Sequence, residues 1–258
     1  MTERPLDALR VEHVAKRFGA LTALRDVTMH VERGEVLGLL GDNGARKSTF
    51  IKIICGFHRP DAGRILVDGV EVTLRSVDHA RSLGIDTVYQ DLALVNELSV
   101  YHNMFLNREH RLGPLLDNRK MRRLAQAHLQ DMGVDIGDVT VEAAKLSGGQ
   151  RQAIAVARSV YSKARILLLD EPLAAMGAKQ AAIILDLVRD LKERGDVAIV
   201  IIAHNYAQAL SVCDRVNVLQ QGRITFDRAS AETSVVELTE LMTADYRNRR
   251  RRAADEGT

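Results

Sequence analysis

Residues 36–49 read Val-Leu-Gly-Leu-Leu-Gly-Asp-Asn-Gly-Ala-Arg-Lys-Ser-Thr. An apolar run of strand length ends at Gly41, and a helical pattern starts at Lys47. In such a strand–glycine loop–helix, backbone N–H groups and the helix N-terminus face phosphate oxygens. Lys47 would reach the β- and γ-phosphates, and Ser48 would ligate Mg²⁺. The candidate phosphate-loop residues are Gly41, Asp42, Asn43, Gly44, Ala45, Arg46, Lys47, Ser48 and Thr49.

Arg46 departs from the phosphate-loop pattern, which has glycine directly before the lysine. A Cβ and a long side chain at this position would crowd the cradle, and the backbone torsion there can be one that arginine resists. The guanidinium could instead swing outward or contact phosphate favourably. An engineered substitution and a sequencing anomaly are the other interpretations of Arg46, and a chance turn is the alternative for the loop as a whole. From the strain argument we predict weakened ATP binding and much reduced hydrolysis.

Composition is that of an ordinary globular protein, with 46% hydrophobic and 27% charged residues in a chain of 258. The net charge of +2 does not indicate a polyanionic partner. Cys55 and Cys213 fit no metal or redox spacing and are expected to be buried in a reducing compartment. We find neither a secretory signal nor a run long enough to cross a bilayer. A soluble, cytosolic protein is expected, with any membrane role through a partner.

The order of apolar runs predicts a three-layer α/β domain over residues 1–258. Residues 166–169 and 197–203 are apolar without alternation, which is typical of strands covered on both faces. Amphipathic helices are predicted at 119–132 and 178–193, a further helix at 148–162, and a hairpin at 65–74. Residues 91–157 are interpreted as a helical insertion. Residues 244–258, with five arginines in 247–252, are interpreted as a basic, frayed tail; an anionic-lipid or nucleic-acid contact is the alternative.

Three further features can carry chemistry. In residues 146–150 (Leu-Ser-Gly-Gly-Gln), Ser147 stands at a predicted helix start that could hold an anion or simply cap the helix. The apolar run at 166–169 delivers Asp170 and Glu171 to a strand end, where Asp170 can hold Mg²⁺ and Glu171 can polarise a water. His204 ends the next apolar strand; a structural and a functional histidine are both open readings.

Together these motifs resemble the nucleotide-binding domain of ABC transporters over nearly the whole chain. The resemblance implies a RecA-like P-loop core with an antiparallel β subdomain and a helical subdomain. It also implies that Glu171 is the catalytic base, that His204 is the switch histidine, and that Phe18 stacks on adenine. Tyr89-Gln90 looks like the Q-loop, which makes Gln90 a catalytic and metal-binding candidate beside Ser48 and Asp170. The residues similar to the signature motif are Ser147, Gly148, Gly149 and Gln150.

In that family two such domains pair head to tail and hold ATP and Mg²⁺ between the phosphate loop of one and the signature of the other. Closure of the pair drives membrane permease subunits, which in importers receive solute from a separate binding protein outside the cell. Residues 171–180, with Gly177 where most of the family has aspartate, are similar to monosaccharide importers of the ribose, xylose and fructose type. Residues 203–206 and 225–227 look closest to fructose-import ATPases. The expected location is the cytoplasmic face of the membrane.

Two alternatives stay open. Arg46 favours a catalytically impaired subunit that pairs with a competent one, whereas Gln90, Ser147, Glu171 and His204 favour an active ATPase. A soluble ABC protein of DNA repair or translation is the third reading. Such proteins usually carry a long coiled-coil insertion or two nucleotide domains, so no nucleic-acid partner is expected.

Overall fold

The structure is a computed structural model, and it describes residues 7–42, 44–174 and 176–244. One ten-stranded sheet runs through it in the order β5-β4-β1-β2-β12-β11-β3-β10-β9-β6. A separate two-stranded hairpin pairs β7 with β8. The strands are β1 (Asp7–Phe18), β2 (Leu21–Glu32), β3 (Val36–Leu40), β4 (Ala62–Val67), β5 (Val70–Val72), β6 (Ile85–Val88), β7 (Arg111–Leu112), β8 (Leu115–Leu116), β9 (Ile166–Asp170), β10 (Ala198–Ala203), β11 (Arg215–Gln220) and β12 (Arg223–Ala229).

Helices cover the parallel part of the sheet. They are α1 (Lys47–Ile54), α2 (Val77–Ser82), α3 (Val100–Met104), α4 (Asn118–Asp131), α5 (Gly148–Tyr161), α6 (Ala178–Arg194), α7 (Tyr206–Leu210) and α8 (235–244). None of these helices combines the length and the apolar character that crossing a bilayer requires.

The apolar runs lack alternation because each central strand is buried on both faces. In β9, Leu167 and Leu169 enter the hydrophobic cluster shared with α3–α6, whereas Ile166 and Leu168 enter the cluster shared with α1 and β1. Strands β3, β6, β9, β10 and β11 are parallel to their neighbours within this region. The predicted parallel sheet between two layers is therefore confirmed.

The apolar run at 27–31 predicts a short strand in the amino-terminal part, but the strands there are long. Strands β1 and β2 each have twelve residues and pair antiparallel, with bulges that let the long ribbon bend, as at His13 (φ 53°). The predicted hairpin at 65–74 is present, with Asp68 and Gly69 both at positive φ as a type I′ turn requires. Its second strand ends at Val72, because Leu74 leaves the ladder to enter the core.

The predicted helices at 47–54, 119–132, 148–162 and 178–193 agree with α1, α4, α5 and α6 to within a residue or so at each end. Both cysteines are buried and free, as expected, and burial raises the pKa of the Cys213 thiol to about 12. The arginine-rich stretch 247–252 lies outside the described residues.

Candidate nucleotide-binding site

The candidate site residues follow strands whose carboxyl ends meet at one edge of the sheet. Strand β10 lies between β3 and β9, with Ala203 opposite Leu40 and Ile202 opposite Asp170. Strand β6 continues the same parallel register on the other side of β9. The loops that begin at Gly41, Glu171, His204 and Tyr89 therefore start at nearly one level, where ligands of open α/β sheets bind.

The loop after β3 and the end of β9 together enclose a cavity of about 200 Å³. Gly41 packs against the adjoining strand so closely that a Cβ there would lie 2.6 Å from the carbonyl oxygen of Leu219, which explains glycine at this position. Lys47 and Asp170 therefore line the same cavity. The lining residues are Asp42, Gly44, Arg46, Lys47, Ser48, Thr49, Asp170 and Glu171.

Lys47 is the buried cation of this cavity, with 6% of its surface exposed. Its Nζ donates hydrogen bonds to the carbonyl oxygens of Gly41 (2.5 Å) and Asp42 (3.2 Å). Burial lowers the pKa of the ammonium, while the carboxylates of Glu171, Asp42 and Asp170 oppose that shift. A buried ammonium beside loop N–H groups is suited to bind a phosphate anion, since the anion would offset its desolvation.

Arg46 occupies the torsion that the strain argument anticipated. It is the N-cap of α1 with φ 73° and ψ 21°, in the left-handed region that a side chain resists. Its side chain is exposed and, within the described part of the chain, makes no ion pair. Arg46 also lines the cavity, so both expected dispositions, outward and toward a phosphate, stay predictions.

Asp170 and Ser48 offer the oxygen ligands that Mg²⁺ prefers. Burial, and then the neighbouring Glu171 carboxylate, raises the pKa of Asp170. A divalent cation would relieve this repulsion, so the donor set fits Mg²⁺. Asp170 and Ser48 would hold the ion, and the ion would supply charge neutralisation for the phosphate oxygens.

Asp170→Asn should raise thermal stability while weakening binding of Mg²⁺–ATP by at least about tenfold. Because the folded-state pKa lies above the unfolded value, ionisation of Asp170 destabilises the fold as pH rises from the unfolded to the folded pKa, and the full penalty is present above the folded pKa. Calorimetry without nucleotide and a nucleotide titration with Mg²⁺ measure the two effects. The exposed Asp186→Asn serves as control. A lower unfolding temperature for Asp170→Asn would contradict the charge argument.

Glu171 lies between the phosphate-loop cavity and a second cavity of about 220 Å³ that His204, Asn205 and Gln208 also line. Its Oε2 is 3.5 Å from Nδ1 of His204. The backbone at Glu171 is itself in the left-handed region (φ 51°), and its N–H donates to the carbonyl oxygen of Ile202. The turn after β9 therefore directs the carboxylate toward the histidine that follows β10.

Gln90 is at the same sheet edge but does not line the phosphate-loop cavity. It borders a neighbouring depression with Asn96 and Arg151. The Tyr89 hydroxyl is 3.0 Å from Sγ of Cys55, which joins the start of this loop to the end of α1. The expected role of Gln90 at the metal remains a prediction.

Arg158 was missed at the sequence level. From within α5 its guanidinium donates to the carbonyl oxygens of Leu92 (3.1 Å) and Ala93 (3.0 Å), the loop that follows Gln90. Burial lowers the pKa of Arg158. The sequence does contain a signal for it. Arg158 follows the apolar run 153–157 on the same helix, and a charge in such surroundings must find buried acceptors.

The segment at 147–150 forms the cap of α5. Ser147 Oγ accepts from the N–H of Gln150, and the Ser147 N–H donates to Gln150 Oε1, which completes a capping box. Ser147 therefore caps the helix, and its hydroxyl can still donate its own proton to a ligand, so the anion-binding role stays a prediction. A Cβ at Gly149 would lie 3.0 Å from the carbonyl oxygen of Gln180, so glycine permits close packing of α5 on α6.

Phe18 stands at the end of β1 with 42% of its surface exposed. Its ring meets His58 edge-on at 5.2 Å, and Lys16 Nζ is 5.5 Å from its centroid. The structure thus leaves an aromatic surface open to a ligand but away from the phosphate-loop lining. Asn43, the remaining candidate of the phosphate loop, lies outside the described residues.

The chain is similar to known sugar-import proteins over most of its length. It is 47% identical over 238 residues to the xylose/arabinose import ATP-binding protein XylG of Sulfolobus acidocaldarius, covering 92% of this chain and 94% of that protein. It is 39% identical to the fructose import ATP-binding protein FrcA of Rhizobium meliloti, and the match covers 86% of this chain and 88% of that protein. With the ribose import ATP-binding protein RbsA of Chromobacterium violaceum it shares 39% over 89% of this chain but only 45% of that protein, so it spans about half of that relative.

Solved structures share the fold. The ADP conformation of MJ1267, an ATP-binding cassette of an ABC transporter, matches with a TM-score of 0.80 at 25% identity, over 93% of this chain and 98% of that one. The cbiO1 protein from Clostridium perfringens, part of the ABC transporter complex cbiONQ, matches with a TM-score of 0.76 at 27% identity. The match covers 91% of this chain and 95% of that one. These likenesses confirm the expected α/β fold of a P-loop ABC ATPase.

The sequence profile described as ABC transporter matches residues 24–174, more than half of the chain. This match covers the phosphate loop, the 147–150 cap and the carboxylates after β9, which the fold brings to neighbouring loops. The chain therefore belongs to the ABC transporter family, among its ATPases.

Proposed function

We propose that this chain binds and hydrolyses ATP to energise a membrane importer of a monosaccharide. The single observation that carries the proposal is the convergence of Lys47, Ser48, Asp170 and Glu171 on one cavity at the sheet edge. In it, Lys47 and the loop N–H groups bind the phosphates, and Glu171 takes a proton from the attacking water. His204, 3.5 Å from Glu171, orients that carboxylate and the water.

Gln90, Phe18 and the 147–150 segment have their proposed roles at the borders of the same site. Phe18 would stack on the adenine, and Gln90 would complete the magnesium ligands with Ser48 and Asp170. The 147–150 segment does not line the phosphate-loop cavity of its own chain. We therefore propose a head-to-tail dimer in which Ser147, Gly148, Gly149 and Gln150 contact nucleotide held by the other copy.

The proposed partners are permease subunits and a sugar-binding protein outside the membrane, with this chain bound peripherally on the cytoplasmic side. A depression lined by Arg81, Asp86, Met104 and Arg158 lies beside the loop that follows Gln90, where a permease element could dock. Residues 91–157 are proposed as the helical subdomain of a single ATP-binding domain over 1–258. The hydrogen bonds from Arg158 to Leu92 and Ala93 would transmit movement between α5 and this loop.

The sugar is proposed from the relatives, whose names specify xylose/arabinose, fructose and ribose import. The test is uptake of each labelled sugar by cells that carry this chain or its Glu171→Gln variant, together with co-purification of a permease. Uptake of fructose that depends on Glu171 would support the finest assignment. ATP hydrolysis without uptake of any of these sugars would contradict the importer proposal.

We expect Arg46→Gly to raise ATP turnover by about tenfold or more, because glycine adopts the left-handed torsion without strain and leaves no side chain in the phosphate cradle. Steady-state turnover with Mg²⁺ measures the effect. Arg46→Ala is the matched variant, since it removes the guanidinium but keeps the Cβ and the torsional cost.

Lys163→Gly controls for stability alone, because Lys163 also has a positive φ (62°) and does not line the phosphate-loop cavity. Both glycine variants should unfold at a higher temperature, but only Arg46→Gly should hydrolyse ATP faster. Equal turnover for the parent chain and its Arg46→Gly variant would refute the strain argument.

The two alternative hypotheses, an impaired subunit and a soluble ABC protein of DNA repair or translation, have less support. Nothing in the relatives favours an impaired regulatory subunit, and the carboxylates and lysine of the cavity are all in place. A DNA-repair or translation role would predict co-purification with nucleic acid rather than with a permease.

A further inference from the structure

An exposed apolar hairpin projects from the helical part of the chain. Strands β7 and β8 are joined by Gly113-Pro114, and a hydrogen bond from the Asp117 N–H to the His110 carbonyl oxygen (2.8 Å) closes its base. Leu112 is 75% exposed, Leu115 71% and Leu116 42%. The following helix already buries its own apolar face in the core. These leucines therefore contribute little to folding, and their grouping within one short hairpin forms a patch rather than scattered surface positions.

Basic side chains surround this patch. Residues 108–123 hold six lysines and arginines and two acidic residues, a net charge of +4. All six cations are exposed. The two carboxylates are engaged by backbone instead, since Glu109 accepts from the Asn107 N–H and Asp117 from the Lys120 N–H. Over the described part of the chain, none of these cations forms an ion pair: Arg108, Arg111, Arg119, Lys120, Arg122 and Arg123.

The cations on α4 are also unfavourable for the helix itself. Arg119 and Lys120 occupy its first turn, which holds no acidic residue, so the positive end of the helix dipole disfavours them, and the N-cap Asp117 offsets part of this cost. A local cost of this kind is typical of residues that serve a contact outside the fold.

We propose that the 108–123 hairpin and its basic flank, here the basic hairpin, bind the surface of an anionic lipid membrane. Leucines at the tip would enter the boundary between headgroups and acyl chains, while the lysines and arginines attract the anionic headgroups. The contact would add direct lipid binding to the permease contact of the proposed function, and it does not depend on ATP hydrolysis.

Charge decides between lipid and permease as the occupant. The cytoplasmic loops of membrane proteins carry an excess of lysine and arginine, which would repel a segment of net charge +4. An anionic membrane complements both the cations and the leucines, since its charged headgroups lie directly beside the apolar layer of acyl chains. A permease contact is accordingly an outcome that the experiment must be able to show.

The experiment is co-sedimentation of the full chain with vesicles of phosphatidylglycerol mixed with phosphatidylcholine, and with vesicles of phosphatidylcholine alone. Binding is expected only to the anionic vesicles and should weaken with added salt. Leu112→Ser with Leu115→Ser should lower the partition coefficient at least about tenfold. Arg119→Gln and Lys120→Gln should lower it roughly fivefold each.

The matched control is Val70→Ser with Val236→Ser, whose side chains are 65% and 66% exposed at other surfaces. These variants should bind vesicles like the parent, and all variants should keep the parent's ATP turnover and circular dichroism. Since every variant retains the arginines at 247–252, unchanged binding by the leucine variant would assign lipid affinity to that segment and overturn the proposal. If the leucine variant lost co-purification with the permease but still bound vesicles, the proposal would be overturned in favour of a protein contact. If the parent chain itself showed no ATP turnover, that result would count against the proposed function alone.

Discussion

Glu171→Gln should lower ATP turnover by about a hundredfold to ten-thousandfold, the range typical of a lost general base. Glutamine keeps the size and hydrogen-bonding capacity of the side chain but cannot accept a proton from water at neutral pH. Nucleotide affinity should stay within a few-fold of the parent, because Lys47 and the loop N–H groups that hold the phosphates are unchanged. Steady-state turnover and a separate nucleotide titration measure the two quantities.

The geometry makes this the largest catalytic effect expected. Among the residues that the structure describes, Glu171 alone lines both the phosphate-loop cavity and the cavity shared with His204. Glu237→Gln is the matched control, since that carboxylate pairs with Arg228 and does not line the phosphate-loop cavity. If Glu171→Gln hydrolysed ATP at the parent rate, the proton acceptor would have to be another group, and the mechanism proposed above would be wrong.

Lys47→Ala should lower ATP affinity by at least about a hundredfold, because it removes charge-assisted hydrogen bonds to two phosphates. The effect is expected on binding itself, in contrast to Glu171→Gln, so it should appear in full in a titration with a non-hydrolysable ATP analogue. Isothermal titration at fixed Mg²⁺ provides the measurement.

Lys52→Ala is the control, since Lys52 lies on the same helix but is exposed and contacts the Phe57 ring. Thermal unfolding of both variants checks that the loss is not a folding defect, because Lys47 also donates to the carbonyl oxygens of Gly41 and Asp42. Undiminished affinity in Lys47→Ala would remove the phosphate loop from the nucleotide site.

Local pattern sufficed for the central elements of the fold. Runs of apolar residues at 36–40, 166–169 and 197–203 are typical of strands covered on both faces, and the helices between them follow from the spacing of their buried positions. The turn at Asp68-Gly69 was equally readable, because few other sequences tolerate two successive positive φ angles. Less regular segments escaped, such as the long β1–β2 ribbon, whose bulges interrupt the alternation that would have identified it.

By itself the sequence determined which residue types could bind phosphate, hold Mg²⁺ and accept a proton, and that strand ends present them. Only the tertiary structure decided that the ends of β3, β9 and β10 lie in register, so that Lys47, Asp170 and Glu171 meet in one cavity. It alone revealed the hydrogen bonds that Arg158 donates from α5 to the loop after Gln90. The physical reason is that strand register and side-chain burial are set by packing between residues far apart in the chain, which local periodicity cannot encode.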